Sequence, residues 1–384
     1  MRAHMFTQIG RDALIALGRE LAAWKPSTER ALFGIEAVIS VVLSVALAHL
    51  LHLPNTWWAA ISGFAVMQTR FSDSAQRALH RVLGTILGAL VGTLVGPIIG
   101  DRPWLFVPVL GVMGAVCVYR ANGSSASYAW VLSGITSVMV TYQAHELLKF
   151  GPTASFAMLR VAEVCVGTVA CLAVSGAFHV GIQWYERRHP ASQIAAAAAA
   201  SANAPPPTFE ALRHARIVLG VQAGIAIAIL AALTYAFNLP GFSQALVTTI
   251  AVMILPPTSI VVRSQKPVAD KMVQRTVGCL IAGAVGIALL PLMHGQVVPC
   301  LLALAAGVWA GCHVQTGQQG ASYIGRQFTI AFIMVFVQDH AWSADPHPAM
   351  LRLAGILTGI VILTCVMLVA ARFSFLPASE EATP

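Results

Sequence analysis

Charge is the scarcest thing in this chain. Only 10% of its 384 residues are Asp, Glu, Lys or Arg, against 57% that are hydrophobic, whereas a water-soluble domain carries about a quarter charged residues. So little charge cannot cover a water-facing surface, which excludes a soluble globular protein and leaves the bilayer as solvent. Cysteine is sparse as well. Cys117, Cys165, Cys171, Cys279, Cys300, Cys312 and Cys365 stand singly, without a C-x-x-C pair. That pattern predicts small buried apolar residues, with no disulfide frame, metal site or cofactor. The sequence also lacks a P-loop, an H-E-x-x-H and a nucleophile elbow, and its deep charges are too few for paired acid–base chemistry, so an enzyme is not expected.

What is present is a series of apolar runs. At roughly 17–25 residues per span, twelve can be placed, near 32–52, 56–70, 82–100, 104–120, 126–143, 157–180, 215–237, 242–258, 274–292, 296–312, 321–338 and 349–370. The second and eighth have short apolar cores. The fold class expected is an all-α integral membrane protein of about twelve transmembrane helices.

The net charge of +8 is distributed as a topology signal. With the N-terminus cytoplasmic, only Arg102, Lys149, Arg160 and Arg352 fall outside, so 23 − 4 = 19 of the Lys and Arg residues lie inside. That bias predicts both termini in the cytoplasm and no nucleic-acid partner. Residues 1–30 are expected to form a cytoplasmic, interfacial amphipathic helix. Phe6, Ile9, Ala13, Leu17, Leu21 and Trp24 share its apolar face, with Arg11, Arg19 and Glu20 elsewhere.

The chain also repeats itself. "LPNTWWAAISGFAVM" at 53–67 matches "LPGFSQALVTTIAVM" at 239–253, and Arg81, Gly84 and Gly92 match Arg275, Gly278 and Gly286. "ASYAWVLSGITSVMVTYQ" at 126–143 matches "ASYIGRQFTIAFIMVFVQ" at 321–338, and "LRVAEVCVG" at 159–167 matches "LRLAGILTG" at 351–359. Six spans per copy is an even number, so the copies enter the membrane with the same orientation, as parallel repeats about a pseudo-twofold axis. The expected organisation is a first repeat over 31–183, an Ala/Pro-rich cytoplasmic linker over 184–212, a second repeat over 213–371 and a cytoplasmic tail over 372–384. Gly84, Gly88, Gly92 and Gly96 stand four apart on one stripe, with Gly278 and Gly286 in the second copy. In lipid, where tails are as apolar as leucine, such a stripe serves close backbone packing. A bare glycine backbone lining a permeation path is a compatible alternative.

"WWAAISGFAVMQTRFSDSAQRALHRVLGTILGALVG", from Trp57 to Gly92, resembles the hallmark of the fusaric acid resistance and aromatic acid exporter (FUSC-type) family. That hallmark is a Trp-containing span ending in Gln, a polar loop with Ser and Arg, and then Arg-x-x-Gly-Thr-x-x-Gly. Here the last positions are Arg81, Gly84, Thr85 and Gly88, and the second copy departs with Cys279 in place of the Thr. The likeness is to a compact form without the cytosolic domain that many relatives carry between the halves. It implies secondary efflux of aromatic carboxylic acids or related organic anions, driven by protons, across a bacterial inner membrane; the alternative is a passive organic-anion channel like the plant malate channels. The partners implied are small organic anions and the bilayer, with a homo-oligomer left open.

Charges inside a membrane cost roughly 2.5–3.5 kcal/mol each at a helix centre, so they are the candidates for function. Arg81 and Arg275 begin the third and ninth spans. They either obey the positive-inside rule or meet at the inner mouth, where a guanidinium grips a carboxylate in bidentate fashion. Arg160 and Arg352 sit near the outer starts of the sixth and twelfth spans, against both the positive-inside rule and the helix dipole. They serve either an anion site or a bond to an outer loop such as the one holding Asp339 and Asp345, and Glu163 is placed to neutralise Arg160. Arg326 stands where the first copy has Val131, so it is either a single anion-binding arginine or a partnered structural one. Tyr128 and Tyr323 are placed to stack on an aromatic ring or to anchor the interface. Glu36 and Glu163 are the proton-coupling candidates, and Glu36 alternatively snorkels to the interface.

Overall fold

The computed structural model describes residues 2–23, 27–188, 209–237, 242–260, 265–338, 342 and 344–372. The linker between 189 and 208, Trp24, Asp339 and the tail from 373 lie outside the described residues. The helices, in chain order, are α1 (Arg2–Ala22), α2 (Thr28–Leu50), α3 (Thr56–Ala65), α4 (Phe71–Ile99), α5 (Pro103–Ala121), α6 (Ser127–Leu147) and α7 (Phe150–Arg188). They continue as α8 (Phe209–Phe237), α9 (Phe242–Val252), α10 (Pro257–Ile260), α11 (Lys266–Met293), α12 (Val297–Gln315), α13 (Ser322–Phe336) and α14 (His347–Arg372). No strand occurs among the described residues.

Each of the twelve expected spans falls on a helix, but eight are long and apolar enough to cross a membrane: α2, α4, α5, α7, α8, α11, α12 and α14. The other four differ for a physical reason. At 1.5 Å per residue, the 10 residues of α3 and 11 of α9 reach only about 15 Å, half of a hydrocarbon core of about 30 Å. α13 has 15 residues, and α6 carries buried hydroxyls at Ser133, Thr136, Ser137 and Thr141. These four meet one another in the interior, α3 against α13 and α6 against α9. A helix surrounded by protein needs neither the length nor the apolarity that lipid demands.

The packing of the first six spans recurs in the last six. α4 lies on α6 and α7, and α11 on α13 and α14; α3 lies on α2 and α7, and α9 on α8 and α14. Across the middle, α5 packs on α8 and α12 on α2.

The glycine stripe explains the closest of these pairings. A Cβ on Gly84 or Gly88 would overlap the carbonyl oxygen of Ala129 or Ser133, and one on Gly92 or Gly96 would come upon Val140 or Ala144, all on α6. In α11, Gly278 and Gly286 face Ile324 and Val335 of α13 in the same way. The stripe is therefore covered by helix along its length and does not line an open path.

α1 is docked on protein. Ile9 and Ala13 are buried, and Ala13 packs with Val314, Ala321 and Ile324. Glu20, expected off the packed face, is 2% exposed. It pairs with Arg30 at 2.6 Å and accepts from the Gln319 amide at 3.0 Å, which fastens α1 to the turn between α12 and α13.

Candidate anion site at the seam

α3 and α9 stop short of a full span, and the chain beyond each is irregular. Unwound backbone at membrane depth is tolerated only where protein or a cavity satisfies it. After α3, the Gln68 amide donates to Ser74 Oγ at 2.9 Å. After α9, Asn122 of the first half serves both needs. Its Nδ2 donates to the Met253 carbonyl at 3.0 Å, and its Oδ1 accepts from the Leu255 amide at 2.9 Å. Lys271 Nζ donates to the Ile254 carbonyl.

Against these broken helices stand the arginines. Arg81 lies ten residues, about 15 Å, into α4, and Arg160 lies equally far into α7. Both are deeper than residues at helix ends, and both are buried, at 3% and 5% exposed. Arg81 Nε donates to Ser62 Oγ at 3.0 Å, and its Nη1 donates to Tyr128 Oη at 2.5 Å. In the second half, Arg275 Nε and Nη2 donate to Thr248 Oγ1 at 3.2 and 3.1 Å, and Nη1 donates to Gln327 Oε1. Each guanidinium thus crosses from a long helix to a broken one and to the start of an interior one.

Around the two tyrosines the charge accumulates. The Arg77 guanidinium lies 4.2 Å over the Tyr128 ring, and Lys271 Nζ lies 5.4 Å over the Tyr323 ring. Arg326 interacts electrostatically with both tyrosines and with Arg77 and Arg81. Arg81 and Arg275 form the buried back of the cluster; Arg77, Lys271, Arg326, Tyr128 and Tyr323 are half-buried. Arg77 and Lys271 were not singled out from the sequence. Each stands one helical turn before the repeated arginine, Arg77 before Arg81 and Lys271 before Arg275, so the repeat itself carried the signal.

The second arginine pair lies at the other end of α3. Arg160 donates to Glu163 at 3.2 Å and lies 4.1 Å over the Trp58 ring, while Arg352 lies 4.6 Å over Trp57 and donates to the Met334 carbonyl. Glu163 also accepts from the Asn55 amide at 2.9 Å. The indole N–H groups of Trp57 and Trp58 and the Nε of Arg160 are buried without an acceptor. Beside them a cleft of about 430 Å³ is lined by Asn55, Phe156, Arg160 and Glu163. Among the described residues Arg160 makes no bond to the outer loop, and Glu163, the sequence's other candidate partner, pairs with it. Ser62, which holds Arg81, donates to the Trp58 carbonyl at 2.7 Å, so about one turn of α3 separates the two arginine groups. Glu36, the other acidic candidate, is half-buried on α2 and accepts from Ser175 of α7.

Long apolar helices around interior ones that are shorter or carry hydroxyls define a multi-pass helical membrane protein. Residues 30–204 match the model of the fusaric acid resistance protein family. Over 137 residues, 35% of this chain, the sequence is 24% identical to the uncharacterized transporter YdhK of Salmonella typhimurium (strain LT2), and the match spans 20% of that protein's length. No solved structure matches.

Proposed function

We propose that this chain is a secondary transporter exporting aromatic carboxylic acids or related organic anions across a bacterial inner membrane. The route runs along the seam between two like-oriented six-helix repeats. The observation that carries this reading is the group of cations around Tyr128 and Tyr323, beside the short interior helices α3 and α9. Interrupted helices at a repeat interface are where transporters hold their substrates, and intramembrane cations that form no ion pair among the described residues attract an anion. The paired packing of the two halves supports the repeat. The family match and the relative's printed name support transport over catalysis.

The tyrosine cluster faces the cytoplasm, with both termini, and the tryptophan cluster lies toward the exit. Phenol and indole faces suit a flat aromatic body, and the guanidinium groups hold its carboxylate. Glu163 is committed to Arg160 and to the Asn55 amide. Glu36, held by Ser175 alone among the described residues, is the better proton carrier.

Flux of labelled benzoate through the purified chain in liposomes tests the reading. A pH gradient is expected to drive uptake against the concentration gradient, and Arg275→Gln is expected to reduce it at least tenfold. Movement set only by membrane potential identifies an anion channel, and the absence of flux for every organic anion tried overturns transport altogether.

A further inference from the structure

The cations around Tyr128 and Tyr323 outnumber the charge that one carboxylate brings. Arg77, Arg81, Lys271, Arg275 and Arg326 surround the two rings. The ion pairs given by the described residues are Arg30–Glu20, Arg102–Asp101 and Arg160–Glu163, and none of them includes these five. Asp270, next to Lys271 in the chain, interacts instead with Lys266 and with Asp12 of α1. Arg81 and Arg275 direct their N–H groups to neutral oxygens of Ser62, Tyr128, Thr248 and Gln327. The other two arginines remain open. Arg77 Nε is buried without an acceptor, and Arg326 has no hydrogen bond or ion pair among the described residues.

Resting on the transport reading above, we propose that the cargo of this site is an organic dianion, with two acidic groups on one small body. One group is held on the first-half side by Arg77 and Arg81, the other on the second-half side by Lys271 and Arg275, and Arg326 lies between them. Like charges crowded in a medium of low polarity repel one another strongly. A monoanion relieves that repulsion at one side of the seam and leaves the other side unpaired. A dianion places one carboxylate on each side, and its larger desolvation cost is offset because neither side is then left without a counter-charge. The pairing of a basic residue one turn before a repeated arginine in both halves gives the two-sided arrangement.

Titration calorimetry and liposome flux with two matched ligand pairs test the proposal. Isophthalate and benzoate share an aromatic ring, and succinate and butyrate share a four-carbon chain, so within each pair the main difference is the second carboxylate. The dianion is expected to bind at least tenfold more tightly than its partner in one or both pairs. Arg326→Gln should remove most of that preference, while Arg326→Lys retains it and controls for folding. Equal or tighter binding of the monoanion in both pairs, with benzoate still carried, overturns the dianion proposal and leaves transport standing. Failure of all four to be carried, with none bound, overturns both.

Discussion

An arginine in the middle of a bilayer needs a partner, and the two arginine groups of this chain find theirs differently. Arg160 has a carboxylate: its side chain and that of Glu163 are 6% and 1% exposed and lie 3.2 Å apart. Removing one member of such a pair leaves a buried charge uncompensated, which typically costs about 3–5 kcal/mol, whereas replacing both with apolar residues is often neutral. Glu163→Leu is therefore expected to lower the stability of the detergent-solubilised chain by about that amount, with Arg160→Met/Glu163→Leu restoring most of it; chemical denaturation checks both. The cations around Tyr128 and Tyr323 have no such carboxylate among the described residues. The candidate arginines and tyrosines were legible because each occupies a matching place in a repeat or breaks a charge rule. Asn122 was not, because its role depends on an unwound strand of chain 131 residues away. The indoles of Trp57 and Trp58 were quoted as part of a family pattern, but their unpaired N–H groups became visible only once Arg160 and Arg352 were seen stacked on them.

Helix against helix, the glycine stripe does the work that hydrophobic burial does in water. α4 approaches α6 until backbone meets backbone, leaving no room for a Cβ at Gly84 or Gly88. Gly88→Leu should force the helices apart, a small-to-large change that typically costs about 1–3 kcal/mol and occasionally more. The expected outcome is a lower melting temperature for the purified chain, while Gly181→Leu, at a position open within 4 Å, leaves it nearly unchanged. The four-residue spacing made this packing readable in advance. The lengths of α3 and α9 were less readable, since an apolar sequence does not say whether its surroundings are lipid or protein. Their short apolar cores were the one visible sign, and burial of every residue of α3 is the explanation.

At the scale of the whole molecule, the recurring packing of the two halves predicts matched behaviour. Arg81 and Arg275 each tie a long helix to a broken one, through Ser62 and Thr248 respectively. If the halves are equivalent parts of one route, Arg81→Gln and Arg275→Gln should lower liposome flux by similar factors, within about threefold of each other. Because both arginines reach the cluster that Arg326 joins and would hold one cargo, the double variant should lower flux by less than the product of the two. A large loss from one and none from the other would assign the route to a single half.

The amino-acid order alone determined that this protein lives in lipid, that two stretches of the chain carry the same run of motifs and that glycine lies between packed helices. Each of these follows from composition or from a fixed spacing along the chain, which is local information. Only the tertiary structure decided that α3 and α9 are interior half-spans, that α1 is fastened through Glu20 to the turn before α13, and that Arg326 joins basic residues from both halves. Those outcomes depend on contacts between segments far apart in sequence. There, the cost of leaving a charge or a backbone amide unpaired selects the partner, and no periodicity along the chain records the choice.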